Sequence, residues 1–220
     1  MKSRVTDGRL PAFTDDEKQM LKEGGVDFIG VNHYTSSYAK KGTVVLNNWY
    51  SDKGVDTSDK NATGYLIGPY AESNWLRVVP SGIRDLVNWI ADRYTDAPII
   101  IFENGVSVPK ENTFPIAQAV HDQFRVNYYK GYIKNLIDAI TLDGINVTGY
   151  FAWSFMDNFE WADGYSVRFG MTYVDYDNGQ QRWLKDSAIW YSKFIQTGNI
   201  NTAYENPYDQ IVANENKFLK

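Results

Sequence analysis

Ile99-Ile100-Ile101-Phe102-Glu103-Asn104-Gly105 decides how this 220-residue chain is read. Four apolar residues run without a break and stop at a carboxylate. A continuous apolar run of this kind belongs to a strand covered on both faces, as in a parallel sheet. Pro98 marks its start, and Asn104-Gly105 turns the chain sharply at its end.

The same grammar appears on both sides. Upstream, Ser81 is placed to cap a helix in which Ile83, Leu86, Val87 and Ile90 fall at i, i+3, i+4 and i+7. Further upstream, Thr14 and Glu17 form a capping-box pattern, Met20 and Leu21 supply an apolar side, and Gly24-Gly25 stop the helix. A strand-like run over 26–31 follows and ends in Asn32-His33-Tyr34. Downstream, one long helix is predicted over 116–142, with Val120, Phe124, Tyr128, Leu136, Ile137 and Ile140 near helical spacing. Gly144 ends it, and a strand over 147–155 leads to Asp157, Asn158, Glu160 and Trp161. Alternating helices and buried strands predict a parallel α/β architecture, in which ligands sit at the carboxyl ends of the strands.

The remaining segments read more simply. Residues 47–70, rich in Asn, Asp, Ser, Gly and Lys, read as a long connection of the kind that tends to be functional or mobile. Tyr173-Val174-Asp175-Tyr176 and Gln181-Arg182-Trp183 read as a hairpin through Asp177-Asn178-Gly179. A last helix over 186–195 is expected to pack Ile189, Trp190 and Phe194 inward, before a polar, weakly structured tail.

Composition narrows the function. With 22 Lys+Arg against 27 Asp+Glu the net charge is −5, which argues against nucleic acid as a partner. There is no cysteine, so no disulfide scaffold, thiolate metal site or cysteine nucleophile. Two histidines make a multi-histidine metal site improbable, and no metal or cofactor is expected. The first ten residues lack the apolar core of a signal peptide, and no run approaches ~20 apolar residues, so neither an export signal nor a membrane partner is expected. Asn61-Ala62-Thr63 and Asn146-Val147-Thr148 fit the N-glycosylation pattern, and the compartment stays open. Aromatic residues make up 15% of the chain, enough to fill a core or to stack on flat apolar faces such as those of sugars.

Glu103 has two readings. It begins a solvated surface loop, or it is a nucleophile or acid/base at the mouth of a barrel. Asn32 and Tyr34 are i and i+2, so they point to one face. A phenol there either packs in the core or donates to a carboxylate such as Glu103. In Trp153-Ser154-Phe155-Met156-Asp157-Asn158-Phe159-Glu160-Trp161, two tryptophans flank acidic and amide groups. This is either a core strand with a capped turn or a stacking platform with acceptors for sugar hydroxyls. Trp75 anchors its loop or offers a ligand platform.

Taken in order, Leu10-Pro11-Ala12-Phe13-Thr14, Phe28-Ile29-Gly30-Val31-Asn32-His33-Tyr34-Thr35, Ile101-Phe102-Glu103-Asn104-Gly105, the segment from Trp153 to Trp161, Gly164-Tyr165 and Arg168-Phe169-Gly170 resemble the family 1 glycoside hydrolases. That family includes β-glucosidases, β-galactosidases and myrosinases. The resemblance is recognisable over about residues 9–195, with 196–220 as the tail. It implies a (β/α)8 TIM barrel of which residues 1–220 supply the C-terminal part, roughly strands six to eight. It further implies Glu103 as nucleophile and Tyr34 as the phenol that orients it. Asn32, Trp75, Trp153, Glu160, Trp161 and Phe169 are implied substrate-binding residues. Trp153 is the implied floor for the sugar ring, Trp75 the leaving-group platform, and Glu160 a hydroxyl binder rather than the acid. Phe102 departs from the family, which most often has Thr there. Glu160-Trp161 favours unphosphorylated glycosides.

The implied activity is retaining hydrolysis of β-glucosides or related β-glycosides, which needs a second carboxyl group. The family places it in an Asn-Glu-Pro motif on the fourth strand, and these 220 residues contain none. The chain is therefore expected to need the N-terminal half of the barrel, or a covering partner chain, and to be inactive alone. Two alternatives stand beside this: a non-catalytic carbohydrate-binding or assembly subunit, and a thioglucosidase or transglycosidase.

Overall fold

A computed structural model describes residues 5, 8–45, 48–94 and 97–207. In chain order these form α1 (Asp15–Glu23), β1 (Ile29–Asn32), β2 (Tyr38–Lys41), β3 (Val55–Ser58), α2 (Ser81–Arg93) and β4 (Ile99–Asn104). After them come α3 (Ile116–Ala119), α4 (Gln123–Thr141), β5 (Val147–Ala152), β6 (Thr172–Val174), β7 (Arg182–Leu184) and α5 (Asp186–Thr197).

The apolar runs pair side by side. β1, β4 and β5 form a parallel sheet in the order β1-β4-β5, with Val31 opposite Ile101 and Ile101 opposite Tyr150. On one face, Val31, Ile99 and Ile101 pack with Ile83, Val87 and Ile90 of α2 and with Val126, Tyr129 and Leu136 of α4. The other face is bare. Phe28, Phe102 and Phe151 stand edge to face across the three strands, with centroids 5.7 and 6.2 Å apart. They are 45%, 43% and 60% exposed. The Phe102 ring lies over Gly30, where a Cβ would come within 2.5 Å of it, so Gly30 makes room for the unusual aromatic.

Several sequence expectations change. The capping box at Thr14 and Glu17 is present, but α1 buries no residue and Met20 and Leu21 are exposed. Ser81 is the first helical residue of α2, whose N-cap is Pro80. The single helix over 116–142 is two helices, α3 and α4. The chain breaks between them because the Asp122 carboxylate is taken by the Ser187 backbone N–H (2.8 Å) and hydroxyl (2.6 Å). The loop over 47–70 contains β3, which pairs antiparallel with β2. The third strand ends at Ala152, not at 155. β6 and β7 form the expected hairpin. Trp190 is fully buried, whereas half-buried Ile189 lines a groove with Phe155, Met171 and Leu184. The tail is partly ordered: Tyr204 donates to Gln123 (2.8 Å) and Asn206 to Asp186 (2.8 Å). The rest of it, 208–220, lies outside the described residues.

Candidate active site

The polar residues at the carboxyl ends of the three strands converge. Asn32 stands opposite Glu103 in the β1–β4 ladder, where the register shifts between Val31 and Asn32. The His33 N–H donates to the Glu103 carbonyl (2.9 Å), and the Trp153 N–H donates to the Asn104 carbonyl (2.8 Å). The Ser154 N–H in turn donates to the Phe169 carbonyl (3.1 Å). Backbone hydrogen bonds thus tie the segments bearing Tyr34, Glu103, Trp153 and Phe169 into one frame.

Asn104 and Gly105 explain why the carboxylate is held rigidly. Asn104 is fully buried; its Nδ2 donates to the His33 carbonyl (2.7 Å) and to the Tyr128 hydroxyl (2.9 Å), and its Oδ1 accepts from the Tyr150 hydroxyl (2.6 Å). A Cβ at Gly105 would stand 1.7 Å from the Trp153 carbonyl oxygen, so only glycine allows the two strand ends to approach. α4 adds phenols from behind. Tyr128 (2.9 Å) and Tyr132 (3.2 Å) both donate to the Tyr34 carbonyl, and Tyr129 donates to the Trp153 carbonyl (2.9 Å). These three tyrosines are supporting residues; the sequence reading named only Tyr128, as part of a helix's apolar spacing. The Tyr128-Tyr129-x-x-Tyr132 cluster was their only sign.

Glu103 itself is half-buried, and the Tyr34 hydroxyl donates to its Oε2 at 2.6 Å. Of the two readings of Glu103, the solvated loop is the one this geometry does not match. Burial, then the hydrogen bond and charge of Glu103, push the Tyr34 phenol far above its ordinary range, so it stays protonated and can only donate to the carboxylate. Trp75 and Phe169 meet the Tyr34 ring edge-on at 5.7 and 6.1 Å, and Phe169 is 1% exposed.

Trp153 Nε1 donates to Glu160 Oε2 at 3.4 Å. Burial raises the Glu160 carboxyl above its usual range, with smaller upward contributions from Asp163 and Glu103, while the Trp153 hydrogen bond opposes them. Trp161, next to Glu160, is 80% exposed. Asp157, one of the acceptors the sequence offered, is withdrawn instead: it is buried in ion pairs with Arg168 (2.5 Å) and Lys185 (3.0 Å). Asn158 donates to Ser154 (3.1 Å) and to the Met156 carbonyl (3.0 Å). Among the described residues no group of three His, Asp or Glu is arranged to hold a metal ion, and no helix is long and apolar enough to cross a membrane.

A half-buried carboxylate that accepts from a phenol thus stands with a second carboxylate and indole rings at the ends of parallel strands. The family model for glycosyl hydrolase family 1 matches residues 1–200, and the chain belongs to that family. Over 199 residues it is 46% identical to beta-glucosidase 16 of Arabidopsis thaliana, covering 89% of this chain and 37% of that protein. It is 43% identical to beta-glucosidase 12 of rice, covering 85% of this chain and 37% of that one. Among solved structures, the beta-glucosidase of Trichoderma harzianum matches with TM-score 0.79 and 48% identity, covering 89% of this chain and 41% of that one. An aphid myrosinase matches with TM-score 0.72 and 29% identity, covering 90% of this chain and 42% of that one. The chain therefore spans about two fifths of the length of the relatives it matches.

Proposed function

We propose that residues 1–220 supply the C-terminal part, strands six to eight, of a (β/α)8 barrel that hydrolyses β-glucosides with retention. The observation that carries this reading is the 2.6 Å hydrogen bond from Tyr34 to Glu103, made where parallel strands end beside Trp153 and Glu160. Glu103 attacks the anomeric carbon and forms a covalent glycosyl-enzyme while an acid protonates the leaving oxygen; water then releases the sugar. Tyr34 holds the attacking oxygen pair in place. Trp153 stacks under the sugar ring, and Glu160 with Asn32 accepts or donates at its hydroxyls. Phe169 closes the pocket wall, and Trp75 and Trp161 offer faces to the leaving group and the sugar rim.

The acid must stand about 5–5.5 Å from Glu103 in a retaining enzyme. We assign it to the remaining strands of the barrel. The bare face bearing Phe28, Phe102 and Phe151 supports this, because an apolar sheet face of that kind needs cover. A polypeptide carrying both halves is called the completed enzyme below. Its turnover of an aryl β-glucoside should be abolished by Glu103→Gln, and the 220-residue chain alone should show none. Turnover that survives Glu103→Gln contradicts the proposal. The likeness to the aphid myrosinase gives a second reading, cleavage of S-linked glucosides; assaying O- and S-linked phenyl glucosides side by side decides between them.

A further inference from the structure

Behind the site lies a buried set of six charges. Arg125, Lys185 and Arg168 face Glu111, Asp122 and Asp157, three against three, all within a tenth of full burial. Glu111 accepts from Arg125 Nη2 (2.6 Å) and from Lys185 Nζ (2.5 Å). Asp122 accepts from Arg125 Nη1. Asp157 pairs with Lys185 and Arg168 and accepts from the Gly170 N–H (3.0 Å).

Arg125 is the member that reaches towards the site. Its Nε donates to the Val106 carbonyl (3.1 Å), three residues beyond Glu103, and its Nη2 donates to the Arg168 carbonyl (2.9 Å), next to Phe169. One planar guanidinium thus fixes the distance between the two segments that flank the site, and the carboxylates of Glu111 and Asp122 fix the guanidinium. A lysine carries the charge but lacks the rigid fork that spans two carbonyls.

We propose that Arg125 is a positioning residue for nucleophilic attack: through the Val106 and Arg168 carbonyls it sets Glu103 against Phe169 and Tyr34. This rests on Glu103 being the nucleophile. A small displacement of a reacting group is enough to cost ~10²-fold in rate, so the effect should appear in chemistry more than in binding.

The test uses the completed enzyme and two readouts: the rate of covalent labelling by 2,4-dinitrophenyl 2-deoxy-2-fluoro-β-glucoside, and the affinity for glucose as a competitor. In Arg125→Lys, labelling should slow by about 10²-fold while glucose affinity stays within about two-fold. Leu136→Ala, in the core face of the same helix, lowers the melting temperature without touching either carbonyl and should label within about two-fold of the parent rate. Parent-rate labelling in Arg125→Lys, or equal slowing in Leu136→Ala, overturns the proposal. If Arg125→Lys does not fold, Glu111→Gln decides: slowing of about ten-fold supports the proposal, and the parent rate overturns it. Glu103→Gln separates the two claims. Labelling that persists in it overturns the nucleophile reading, whereas its loss together with normal labelling of Arg125→Lys overturns only the positioning role.

Discussion

The carboxyl ends of the β1-β4-β5 strands and the sheet face away from the helices are built to different standards. Where the strands end, the buried polar groups apart from His33 are matched: Asn104 makes three hydrogen bonds, the Tyr34 carbonyl accepts from two phenols, and six charges behind it balance. On the face away from the helices, Phe28, Phe102 and Phe151 form an apolar ladder open to solvent. The first region satisfies its polar groups within this chain apart from His33 Nδ1, and the second leaves three aromatic rings open to solvent. On the proposed function, Glu103 is in position here while the acid comes from the rest of the barrel.

The contrast predicts that substitutions at the strand ends affect chemistry, and substitutions on the bare face affect assembly. The largest effect belongs to Glu103→Gln, which should abolish measurable turnover of the completed enzyme with an unchanged melting temperature. A comparable loss of stability would place Glu103 with the structural network instead. Next is Phe151→Ala. In the completed enzyme it should cost about 3–5 kcal/mol in urea melts, the usual figure for a buried phenylalanine, and almost nothing in the isolated chain. Equal costs in the two would break the contrast.

His33 is the exception within the strand-end region and sharpens the contrast. It is buried on β1's exit and its Nδ1 has no hydrogen-bond partner. Burial lowers its pKa from the ordinary 6.5 to about 4. Between those values the unfolded chain binds the proton and the folded one does not. Stability should thus fall as pH drops from about 6.5 to about 4, by about 3 kcal/mol, then level off. Urea melts of parent and His33→Asn across that range read the difference; the same slope in both would show that His33 is not its source. The smallest effect is Tyr34→Phe, which removes one hydrogen bond to a carboxylate. Labelling of Glu103 should slow by roughly ten-fold, and an unchanged rate would reduce Tyr34 to a packing residue.

Much of this was legible before the structure. The strand ending in Glu103 was plain because a carboxylate directly after four apolar residues has few explanations. The i, i+2 spacing of Asn32 and Tyr34 put both on one face but left open whether the phenol packs in the core or donates to Glu103, which the 2.6 Å hydrogen bond answers. The break at Asp122 was not legible, because helical periodicity runs through it and the group that takes its carboxylate, Ser187, is 65 residues away. The β2–β3 hairpin was hidden because it is almost wholly exposed and shows no apolar alternation. Asp157 was read as a site acceptor because sequence shows only that it follows a strand. Its partners, Arg168 and Lys185, lie 11 and 28 residues on. Long-range polar pairing is what this sequence withheld most, together with an exposed strand pair and one helix break.

The central claim is that Glu103 forms the bond to the sugar. Incubating the completed enzyme with 2,4-dinitrophenyl 2-deoxy-2-fluoro-β-glucoside, then digesting it and mapping the modified peptide by mass spectrometry, tests that claim most directly. A fluoroglucosyl group on Glu103 is the predicted result. The same group on Glu160 or any other side chain would contradict it.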